Sequence, residues 1–480
     1  MSDCGVTAPS PLVAPIPVGT PVALDRSAHF YGRDLVAGGV PWALLRLPGA
    51  SRGVVDRWRR GDVVRPGEEL FARTLVQRGL LEARYPAVRA ADDVDVVIPV
   101  RNDLHGLTLL LSDVEALNVT VVDDGSTEPG RVAALASAHG ARLIRHDESQ
   151  GPGAARNAGV RGTTGPFVLF VDADVVLGNV DEVLPRLRAE FADPTLAAVA
   201  PRIRGVAGGS ARDHFEYDFG PLDLGSRSAL VGAGGPVPYV PSACLMVRRD
   251  AFGEGFDPDM RVGEDVDFIW HLLDQGWLVR YLADVTVFHP ARSTWPAWVR
   301  QRVRYGQSSA ELARRHGARA APLRADRWTL LAWAGMVARA PWLTARALGV
   351  VRDTLERRLE TSTERPREVA GALVARSMLL SGGPMARALV RTYGPALLVA
   401  ALHPRMRSRA LSVWAVGSAF RYRSTRPRAT DVGLGVADDL AYALGVAVGA
   451  WRARSLANLT PRWNPSTITW KQMIGVRPES

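Results

Sequence analysis

Residues 167–174 read Phe167-Val168-Leu169-Phe170-Val171-Asp172-Ala173-Asp174, and this stretch is the strongest indication of the chain's architecture. Five consecutive apolar residues predict a buried strand, and two carboxylates follow where that strand ends. Carboxylates at the open end of a buried strand can hold a divalent cation that in turn binds a pyrophosphate. The alternative is an ordinary loop that begins with acidic turn residues.

Strands and helices alternate on the amino-terminal side of this stretch. The predicted order is strand 94–100, helix 104–117, strand 119–122, a helix after 131, strand 142–144, a helix from 153 and strand 167–171. This alternation predicts an α/β fold with a mostly parallel, doubly wound sheet that binds ligands at the carboxyl ends of its strands. Neither a Gly-x-Gly-x-x-Gly nor a P-loop opens the unit, which argues against a dehydrogenase or a P-loop enzyme.

Composition limits the possible functions. The 480 residues suffice for two or three ordered domains, and 47% of them are hydrophobic. The net charge of +10 has no nucleic-acid recognition motif beside it, so we expect phosphate-bearing substrates or anionic lipid as partners and no nucleic acid. Cys4 and Cys244 lack metal-ligand spacing, and the first residues lack the pattern of a signal peptide. The catalytic region is therefore expected inside the cell.

The regions that flank the alternating segment differ from it. We expect a small module over 1–90, a catalytic domain over 91–318 and a helical region over 319–480. Helical patterning at 51–58 and 67–79, followed by a short strand, predicts a winged-helix-like module. Such a module can pack on a neighbouring domain, bind a peptide or read DNA, and its fold alone does not choose among these.

The carboxyl-terminal region is rich in Ala, Leu, Val and Arg. Helical stretches are predicted at 328–352, 367–380, 386–402 and 438–452. Arg339 and Arg346 interrupt the first stretch, and Asp438 and Asp439 begin the last, so none is a clean membrane span of about twenty apolar residues. The pattern fits helices on a membrane surface, spanning helices or a packed soluble subdomain.

Further polar signatures lie at predicted strand ends and helix starts. In chain order they are 97–102 (Val-Ile-Pro-Val-Arg-Asn), 121–126 (Val-Val-Asp-Asp-Gly-Ser), 151–159 (Gly-Pro-Gly-Ala-Ala-Arg-Asn-Ala-Gly) and 263–268 (Gly-Glu-Asp-Val-Asp-Phe). The first loop can frame a base or ribose, and a carboxylate in the second can accept a hydrogen bond from a nucleobase N–H. Arg156 can reach a phosphate, and a helix amino terminus favours ionised Glu264 and Asp265. Each signature alone is also compatible with a turn or a capped helix.

This ordered set closely resembles the family 2 glycosyltransferases of the GT-A fold, over residues 95–309. The resemblance implies that the nucleotide sugar contacts Asp124, which faces uracil, together with Pro99, Arg101, Arg156 and Asp172. It also implies that Asp172 and Asp174 hold Mg or Mn on the diphosphate. Asp265 is then the first candidate for the catalytic base, and Glu264 is the alternative. The base removes the proton of the acceptor hydroxyl, and a single displacement inverts the anomeric centre.

Two later segments extend this resemblance. Gln301-Arg302-Val303-Arg304-Tyr305 is similar to the Gln-x-x-Arg-Trp acceptor motif of polysaccharide synthases, with tyrosine in place of tryptophan. It makes Gln301, Arg304 and Tyr305 the candidate acceptor residues and leaves processive synthesis open. His289 stands where many relatives place a histidine near the metal, although a loop histidine without a ligand is the alternative.

A narrower resemblance covers almost the whole chain. The small amino-terminal module and the segments 239–243, 263–267 and 304–309 resemble the glycosyltransferases of the mycofactocin system. That family implies glucose transfer from UDP-glucose onto a peptide-derived redox cofactor or its precursor, building a short β-1,4-glucan. The amino-terminal module is also similar to peptide-binding domains of modified-peptide pathways. The expected location is the cytoplasm or the cytoplasmic face of the membrane.

Two other functions compete with this hypothesis. One is a membrane-associated synthase that extends a polysaccharide or a lipid-linked sugar, which the segment 301–305 and the arginine-interrupted helices favour. The other is a scaffold without activity that recruits a peptide. A degenerate relative would have lost its acidic residues, whereas all the carboxylates of the signatures are present.

Overall fold

The computed structural model describes residues 14–463 except 33, 48 and 89–92, so Cys4 lies outside the described residues. The strands are β1 Val22–Leu24, β2 His29–Tyr31, β3 Leu35–Gly38, β4 Ala43–Arg46, β5 Leu81–Ala83, β6 Val94–Val100, β7 Asn118–Asp124, β8 Arg142–His146, β9 Phe167–Val171, β10 Leu196–Gly205, β11 Ala229–Leu230, β12 Cys244–Arg248, β13 Leu278–His289, β14 Arg324–Ala325 and β15 Arg462–Trp463. The helices are α1 Gly49–Arg59, α2 Glu69–Gln77, α3 Leu104–Asp113, α4 Pro129–Ala138, α5 Pro152–Arg161, α6 Val180–Ala189, α7 Ala211–Phe219, α8 Arg249–Phe252, α9 Glu264–Asp274, α10 Trp295–His316, α11 Arg327–Ala338, α12 Pro341–Leu359, α13 Pro366–Leu402, α14 Pro404–Arg421 and α15 Ala429–Arg452.

An eight-stranded sheet in the order β11-β13-β10-β12-β9-β6-β7-β8 forms the centre of the molecule. Strands β9, β6, β7 and β8 run parallel, and β12 lies antiparallel between β9 and β10. The predicted strands 94–100 and 167–171 are present with those bounds as β6 and β9. The carboxyl ends of β6, β7 and β9 therefore lie side by side, as the α/β pattern predicted.

Helix α5 packs unusually close to this sheet. A Cβ on Gly159 would lie 2.2 Å from a methyl group of Val97 on β6, so only glycine permits this approach. Every residue of α5 from 153 to 160 is buried. The close packing fixes the direction in which the side chain of Arg156 leaves the helix.

The amino-terminal elements form a small unit that contacts both other parts of the chain. Strands β2, β3 and β4 make an antiparallel sheet, β1 pairs with β5, and α1 and α2 cover a core around Trp58 and Phe71. Arg73 of α2 is 2% exposed and donates to both carboxylate oxygens of Asp193 at 2.8 and 2.9 Å. The opposite face of β3 and β4 packs on α12 and α13. This unit is therefore joined to its neighbours by a buried ion pair and by an apolar surface.

The carboxyl-terminal helices begin and end at other residues than predicted. The stretch predicted at 328–352 is divided at Arg339, whose φ is 58°, because Pro341 disfavours a helical residue before it and begins α12. The stretches predicted at 367–380 and 386–402 form one helix, α13, with non-helical angles at Tyr393. Helix α14 was not predicted, since its mixture of arginine and apolar residues has no helical period.

Helix α15 packs along α10 through three glycines. A Cβ on Gly306 would lie 2.2 Å from the carbonyl oxygen of Tyr442, and one on Gly445 would lie 2.1 Å from that of Val303. Gly449 faces the backbone of Gln307 in the same way. Within the described part of the chain, two helices, α13 and α15, are long and apolar enough to cross a membrane, with mean hydropathy of 1.2 and 1.4, but buried core helices also meet this criterion.

Candidate active site

A cavity of about 1040 Å³ opens at the carboxyl ends of the sheet strands and extends beneath the carboxyl-terminal helices. Among the residues predicted from the sequence, its lining includes Arg156, Asp172, Glu264, Asp265, His289, Gln301, Arg304 and Tyr305. The helices α10, α13 and α15 supply part of its wall. The structure thus brings the base, diphosphate and acceptor candidates into one space.

Arg156 connects two of the predicted signatures. It is 3% exposed, and its guanidinium donates to Asp172 Oδ1 at 2.6 Å and to Glu264 Oε1 at 2.9 Å. Burial alone would lower the pKa of Arg156, but the charges of Asp172 and Glu264 outweigh burial and raise it. Arg156 therefore stays charged and fixes the end of β9 relative to the start of α9.

Asp265 differs from its neighbour Glu264 in having no ion-pair partner among the described residues. It is half-buried, and one of its oxygens accepts a hydrogen bond from the backbone N–H of Val266 at 2.8 Å. Burial and the adjacent negative charge of Glu264 raise the pKa of Asp265 to about 7, despite the opposing effects of Val266, Arg156 and Ser242. A carboxylate with this pKa is suited to accept a proton near neutral pH.

The segment 239–243 explains why Asp172 and Asp265 lie in a fixed relation. The backbone N–H of Asp172 donates to the carbonyl of Ala243 at 2.9 Å, and the backbone of Ser242 hydrogen-bonds Asp265. Ser242 is 2% exposed. Ser242 and Ala243 thus connect the end of β9 to the start of α9, independently of Arg156.

Asp174 and His289 meet at the rim of the cavity. His289 Nε2 lies 3.3 Å from Asp174 Oδ1, and Arg292 Nη1 lies 3.1 Å from Asp174 Oδ2. Burial would raise the pKa of Asp174, but the hydrogen bond and charge of His289 and the charge of Arg292 lower it to about 2. The same contact with Asp174 raises the pKa of His289 against the effect of burial.

These side chains fit a cation that is shared with a substrate. Among the residues that the structure describes, no three His, Cys, Asp or Glu side chains are grouped to hold a metal ion alone. Mg²⁺ characteristically takes one or two protein carboxylates and completes its shell with phosphate oxygens and water. Asp174 stays ionised and has an imidazole beside it, and Asp172 keeps a second oxygen apart from the one that Arg156 binds. The donor set is therefore appropriate for a diphosphate-bound cation.

Asp124 lies at the end of β7, outside the cavity lining. Its two oxygens accept hydrogen bonds from His146 Nδ1, Ser149 Oγ and the backbone N–H groups of Gln150 and Gly151, at 2.7 to 2.9 Å. Burial would raise the pKa of Asp124, but these donors lower it. Because a carboxylate offers about four acceptor positions, a further donor such as a nucleobase N–H would bind Asp124 only by replacing one of these four.

Pro99 and Arg101 lie beside Asp124 and likewise outside the cavity lining. Pro99 lies at the end of β6, and Arg101 follows the strand and is exposed. The next residue, Asn102, receives a hydrogen bond from the backbone N–H of Thr127 at 2.8 Å, which joins the loops after β6 and β7. The residues predicted to contact the base thus lie together at an edge of the sheet next to the cavity.

The acceptor signature on α10 has two faces. Gln301 donates to the hydroxyl of Tyr305 at 3.1 Å, and Arg304 is exposed towards the cavity. Arg302 instead points inward: it is 1% exposed, ion-pairs with Glu216, and donates to Asp438 Oδ1 at 3.1 Å. Arg302 therefore ties the acceptor signature to α7 and α15.

Sequence reasoning missed the contribution of the carboxyl-terminal helices to this cavity. Arg387, Arg391 and Arg421 line it, and they surround the buried carboxylates Asp438 and Asp439. Burial would raise the pKa of Asp438, but its arginine neighbours lower it. The sequence held one usable signal, since two adjacent aspartates inside an apolar helix need buried partners.

Comparisons with known proteins agree with this geometry. Residues 95–256 match the family model of Glycosyl transferase family 2. The chain is 35% identical over 467 residues to the pre-mycofactocin glycosyltransferase of Mycobacterium tuberculosis, in strains CDC 1551 and H37Rv, covering 93% of this chain and 98% of the relative. It is 26% identical to the succinoglycan biosynthesis protein ExoU of Rhizobium meliloti, over 39% of this chain and 58% of that protein.

Among solved structures, the chain is similar to the mannosyltransferase PcManGT from Pyrobaculum calidifontis, in complex with GDP-Man and Mn2+. The match has 19% sequence identity and covers 71% of this chain and 91% of that chain, with a TM-score of 0.37. At that score the superposition carries no argument about function.

Proposed function

Because the chain belongs to the pre-mycofactocin glycosyltransferases, within glycosyltransferase family 2, we propose that it transfers glucose from UDP-glucose onto a peptide-derived redox cofactor, mycofactocin, or its precursor. Repeated transfer builds a short β-1,4-glucan. The observation that carries this proposal is the arrangement around Arg156, which holds Asp172 and Glu264 together beside the uncompensated Asp265.

Asp265 is the proposed catalytic base. Glu264 is committed to its ion pair with Arg156, whereas Asp265 faces the cavity and has a pKa of about 7. It takes the proton of the acceptor hydroxyl as the hydroxyl oxygen attacks the anomeric carbon. The bond from that carbon to the diphosphate breaks, and the configuration at the carbon inverts. Glu264 remains the alternative base.

Arg156, Asp172, Asp174 and His289 form the proposed leaving-group site. Arg156 is charged and contacts Asp172, so a diphosphate held at Asp172 through a divalent cation would have the guanidinium beside it. Asp174 and His289, with Asp172, would hold Mg or Mn. When bound, such an ion neutralises the negative charge that develops on the diphosphate.

The remaining predicted residues are assigned to the two ends of the substrate pair. We propose that Asp124, Pro99 and Arg101 bind the uridine, with Ser149 giving way at Asp124 because a hydroxyl rotates more freely than a backbone amide. Gln301, Arg304 and Tyr305 bind the acceptor. The hydroxyl of Tyr305 is held by Gln301, which leaves the ring as a surface for stacking on a sugar.

A membrane-associated synthase remains the second candidate, and one observation favours membrane contact. Residues 327–352 and 369–430 contain fourteen arginines and no aspartate or glutamate. Trp342, Leu379, Val399 and Leu402 in these segments are 68 to 83% exposed, with Trp342 at 69%. Arginine beside exposed apolar side chains suits an anionic bilayer surface. We propose that this face lies on the cytoplasmic side of the membrane and that catalysis occurs in the cytoplasm.

The test of the transfer reaction uses purified protein, UDP-glucose, manganese and unglycosylated pre-mycofactocin, with mass spectrometry of the products. We expect additions of one or more hexoses in wild type and none in Asp174→Asn. UDP-galactose and GDP-glucose serve as competing donors. Full transfer by Asp174→Asn would overturn the proposed metal site, and the absence of any hexose addition by wild type would overturn the proposed acceptor.

The membrane assignment has a separate test. Co-sedimentation with vesicles of phosphatidylglycerol and phosphatidylcholine should be lost in the double variant Arg405→Gln/Arg407→Gln, both residues being exposed at the start of α14. The matched control is Arg357→Gln/Arg358→Gln on α12. Equal sedimentation of both variants, or equal binding to neutral vesicles, contradicts an electrostatic surface contact. Transfer to a soluble acceptor without lipid argues against the synthase alternative.

A further inference from the structure

A glycine-rich turn over residues 231–236 lies beside the amino-terminal unit. Its sequence is Val-Gly-Ala-Gly-Gly-Pro, and it follows β11 at the edge of the large sheet. The backbone N–H of Val231 donates to the carbonyl of Val279 on β13 at 2.9 Å, and that of Gly232 donates to the carbonyl of Val237 at 3.0 Å. This glycine turn is therefore closed on itself and joined to the sheet at its first residue.

Val40 of the amino-terminal unit packs against the glycine turn. A Cβ on Gly232 would lie 2.7 Å from one methyl group of Val40, and a Cβ on Gly235 would lie 2.8 Å from both methyl groups. Non-bonded carbon atoms prefer a separation of about 3.5–4.0 Å. The isopropyl group of Val40 therefore occupies a notch that exists because both positions are glycine.

The amino-terminal unit holds Val40 in place from the other side. Val40 lies in the connection between β3 and β4, and its backbone N–H donates to the carbonyl of Arg78 at 2.8 Å. A Cβ on Gly39 would lie 1.9 Å from the same carbonyl oxygen, and one on Gly79 would lie 3.0 Å from the nitrogen of Val40. A β-branched side chain also has few rotamers. The unit thus presents this isopropyl group to the glycine turn in a fixed position.

The chain that leaves the glycine turn reaches the proposed base within a few residues. Residues 236–242 contribute to the lining of the catalytic cavity. The carbonyl of Pro238 accepts a hydrogen bond from Trp270 Nε1 of α9 at 2.9 Å, and the backbone of Ser242 hydrogen-bonds Asp265 on the same helix. This segment is thus attached to α9 at two points and to the amino-terminal unit through the glycine turn.

Asp265 is surrounded by charged and titratable groups of several elements. Glu264 precedes it on α9, Arg156 comes from α5, Tyr305 comes from α10, and Tyr239 comes from the segment that follows the glycine turn. That segment alone continues directly from the turn. A shift of the turn therefore changes one side of the surroundings of Asp265 and leaves the other three groups in place.

We propose that Val40 is a positioning residue for the transfer reaction. By occupying the notch of the glycine turn, it fixes the segment 236–242 and thereby the place of Ser242 against Asp265. This inference rests on the proposed function, in which Asp265 is the base, and it gives the amino-terminal unit a part in catalysis. The effect falls on the rate of transfer, because a displacement of about 1 Å near the reacting groups can cost about 100-fold in rate.

The test exchanges size between the two sides of this contact. In Gly232→Ala the new methyl group meets Val40 alone among the described residues that are not its chain neighbours, so the turn has to shift. The kcat of hexose transfer should fall by at least about tenfold. The KM for UDP-glucose should stay within about twofold, because the residues proposed to bind the donor lie at the ends of β6, β7 and β9.

The double variant Val40→Ala/Gly232→Ala restores the fit, since the new methyl group takes the place of the lost ones. Its kcat should return to within about threefold of wild type, which is a coupling expected only for residues in contact. The matched control is Gly209→Ala, an exposed loop glycine with open space among the described residues. Its kcat should equal that of wild type.

A second readout separates positioning from a loss of stability. The backbone hydrogen bond from Ser242 lowers the pKa of Asp265, so loss of this bond raises that pKa. The acid limb of kcat/KM in Gly232→Ala should therefore move to higher pH, whereas partial unfolding lowers activity equally at every pH. Val40→Ala alone loosens the turn and should lower kcat about threefold, against no change for Val54→Ala, a half-buried valine on α1.

The outcomes separate this inference from the proposed function. If wild type transfers hexose but the double variant is no faster than Gly232→Ala, or the acid limb stays in place, Val40 does not position the base and the proposed function stands. If Gly232→Ala does not fold, Val40→Ala decides alone, and a kcat equal to that of Val54→Ala rejects the role. If wild type adds no hexose to pre-mycofactocin, the proposed function fails and the role of Val40 fails with it.

Discussion

Replacing Asp265 with asparagine should abolish sugar transfer and, at pH 8, make the protein more stable. The carboxylate is half-buried and lies beside the negatively charged Glu264. Burial and this charge together raise the pKa of Asp265 to about 7 from an ordinary value of 3.8. At pH 8 the folded protein must hold this charge in a place that disfavours it. Asparagine has nearly the same shape and no charge, so the substitution removes the repulsion without leaving a cavity.

The sign and size follow from the pKa. Because the folded-state pKa is raised, the unfolded chain releases the proton first, and stability is lost as pH rises from about 4 to 7. A shift of about three pKa units corresponds to at most about 4 kcal/mol. The side chain is half-buried, so water screens part of the repulsion, and we expect a gain of about 1–3 kcal/mol for Asp265→Asn at pH 8. At pH 5.5 the gain should be about half as large.

Urea unfolding at pH 8 and pH 5.5 measures this gain, and hexose transfer at pH 8 measures activity. Loss of a general base typically lowers kcat by about 10²–10⁴-fold. The control is Asp259→Asn, an exposed aspartate in the loop before α9, which should change neither quantity. A destabilised Asp265→Asn at pH 8 would refute the electrostatic argument, and more than a tenth of wild-type activity would refute the role as base.

Three other perturbations test the remaining contacts. In Glu264→Gln one charge that raises the pKa of Asp265 is removed, so the acid limb of kcat/KM, near pH 7 in wild type, should move to lower pH. Glu311→Gln on the surface of α10 should leave this limb in place, and an unmoved limb in Glu264→Gln would contradict the effect of Glu264 on Asp265. In Gly445→Ala the new Cβ meets the carbonyl of Val303, which should lower the free energy of unfolding by about 1–3 kcal/mol. The control Gly433→Ala, on the same helix, has open space and should raise the free energy of unfolding by up to about 1 kcal/mol, and equal urea midpoints for the two variants would count against the close contact between α10 and α15. Arg73→Met leaves Asp193 buried without its cation and should lower the free energy of unfolding by about 3–5 kcal/mol. The exposed control Arg131→Met should lower it by less than about 0.5 kcal/mol, and similar values for the two variants in urea unfolding would mean that this ion pair does not hold the amino-terminal unit.

The catalytic sheet was predictable because its signals are local. Apolar runs at 94–100 and 167–171 gave the bounds of β6 and β9, and glycine and proline marked the start of α5. The GT-A fold predicted from the order of the signatures is confirmed by the family match and by the eight-stranded sheet. Parallel strands place their carboxyl ends at one edge, so residues far apart in sequence were expected together.

Contacts between distant segments had no such signal. Nothing near Arg302 indicates that it binds Asp438, more than a hundred residues later, because an arginine inside a helix is usually solvated. The saturation of Asp124 by four protein donors depends on how the loop 147–151 folds back on β7. The helix break at Arg339, by contrast, had a local signal in the nearby Pro341, which the apolar pattern over 328–352 outweighed in the prediction.

The buried charges around α15 argue that the carboxyl-terminal helices are part of the active site. Asp438 and Asp439 face Arg302, Arg387 and Arg421, and Arg302 is the neighbour in sequence of Gln301 in the acceptor signature. Removing α15 would leave Glu216 as the ion-pair partner of Arg302 and would open the side of the cavity that Tyr442 lines. The matched residues 95–256 contain the sheet edge with Asp124, Asp172 and Asp174, whereas the helices α10, α13 and α15, which line the cavity, lie outside them. In the proposed function, substitutions in these helices would therefore alter acceptor choice without changing the sheet edge that holds Asp172 and Asp174.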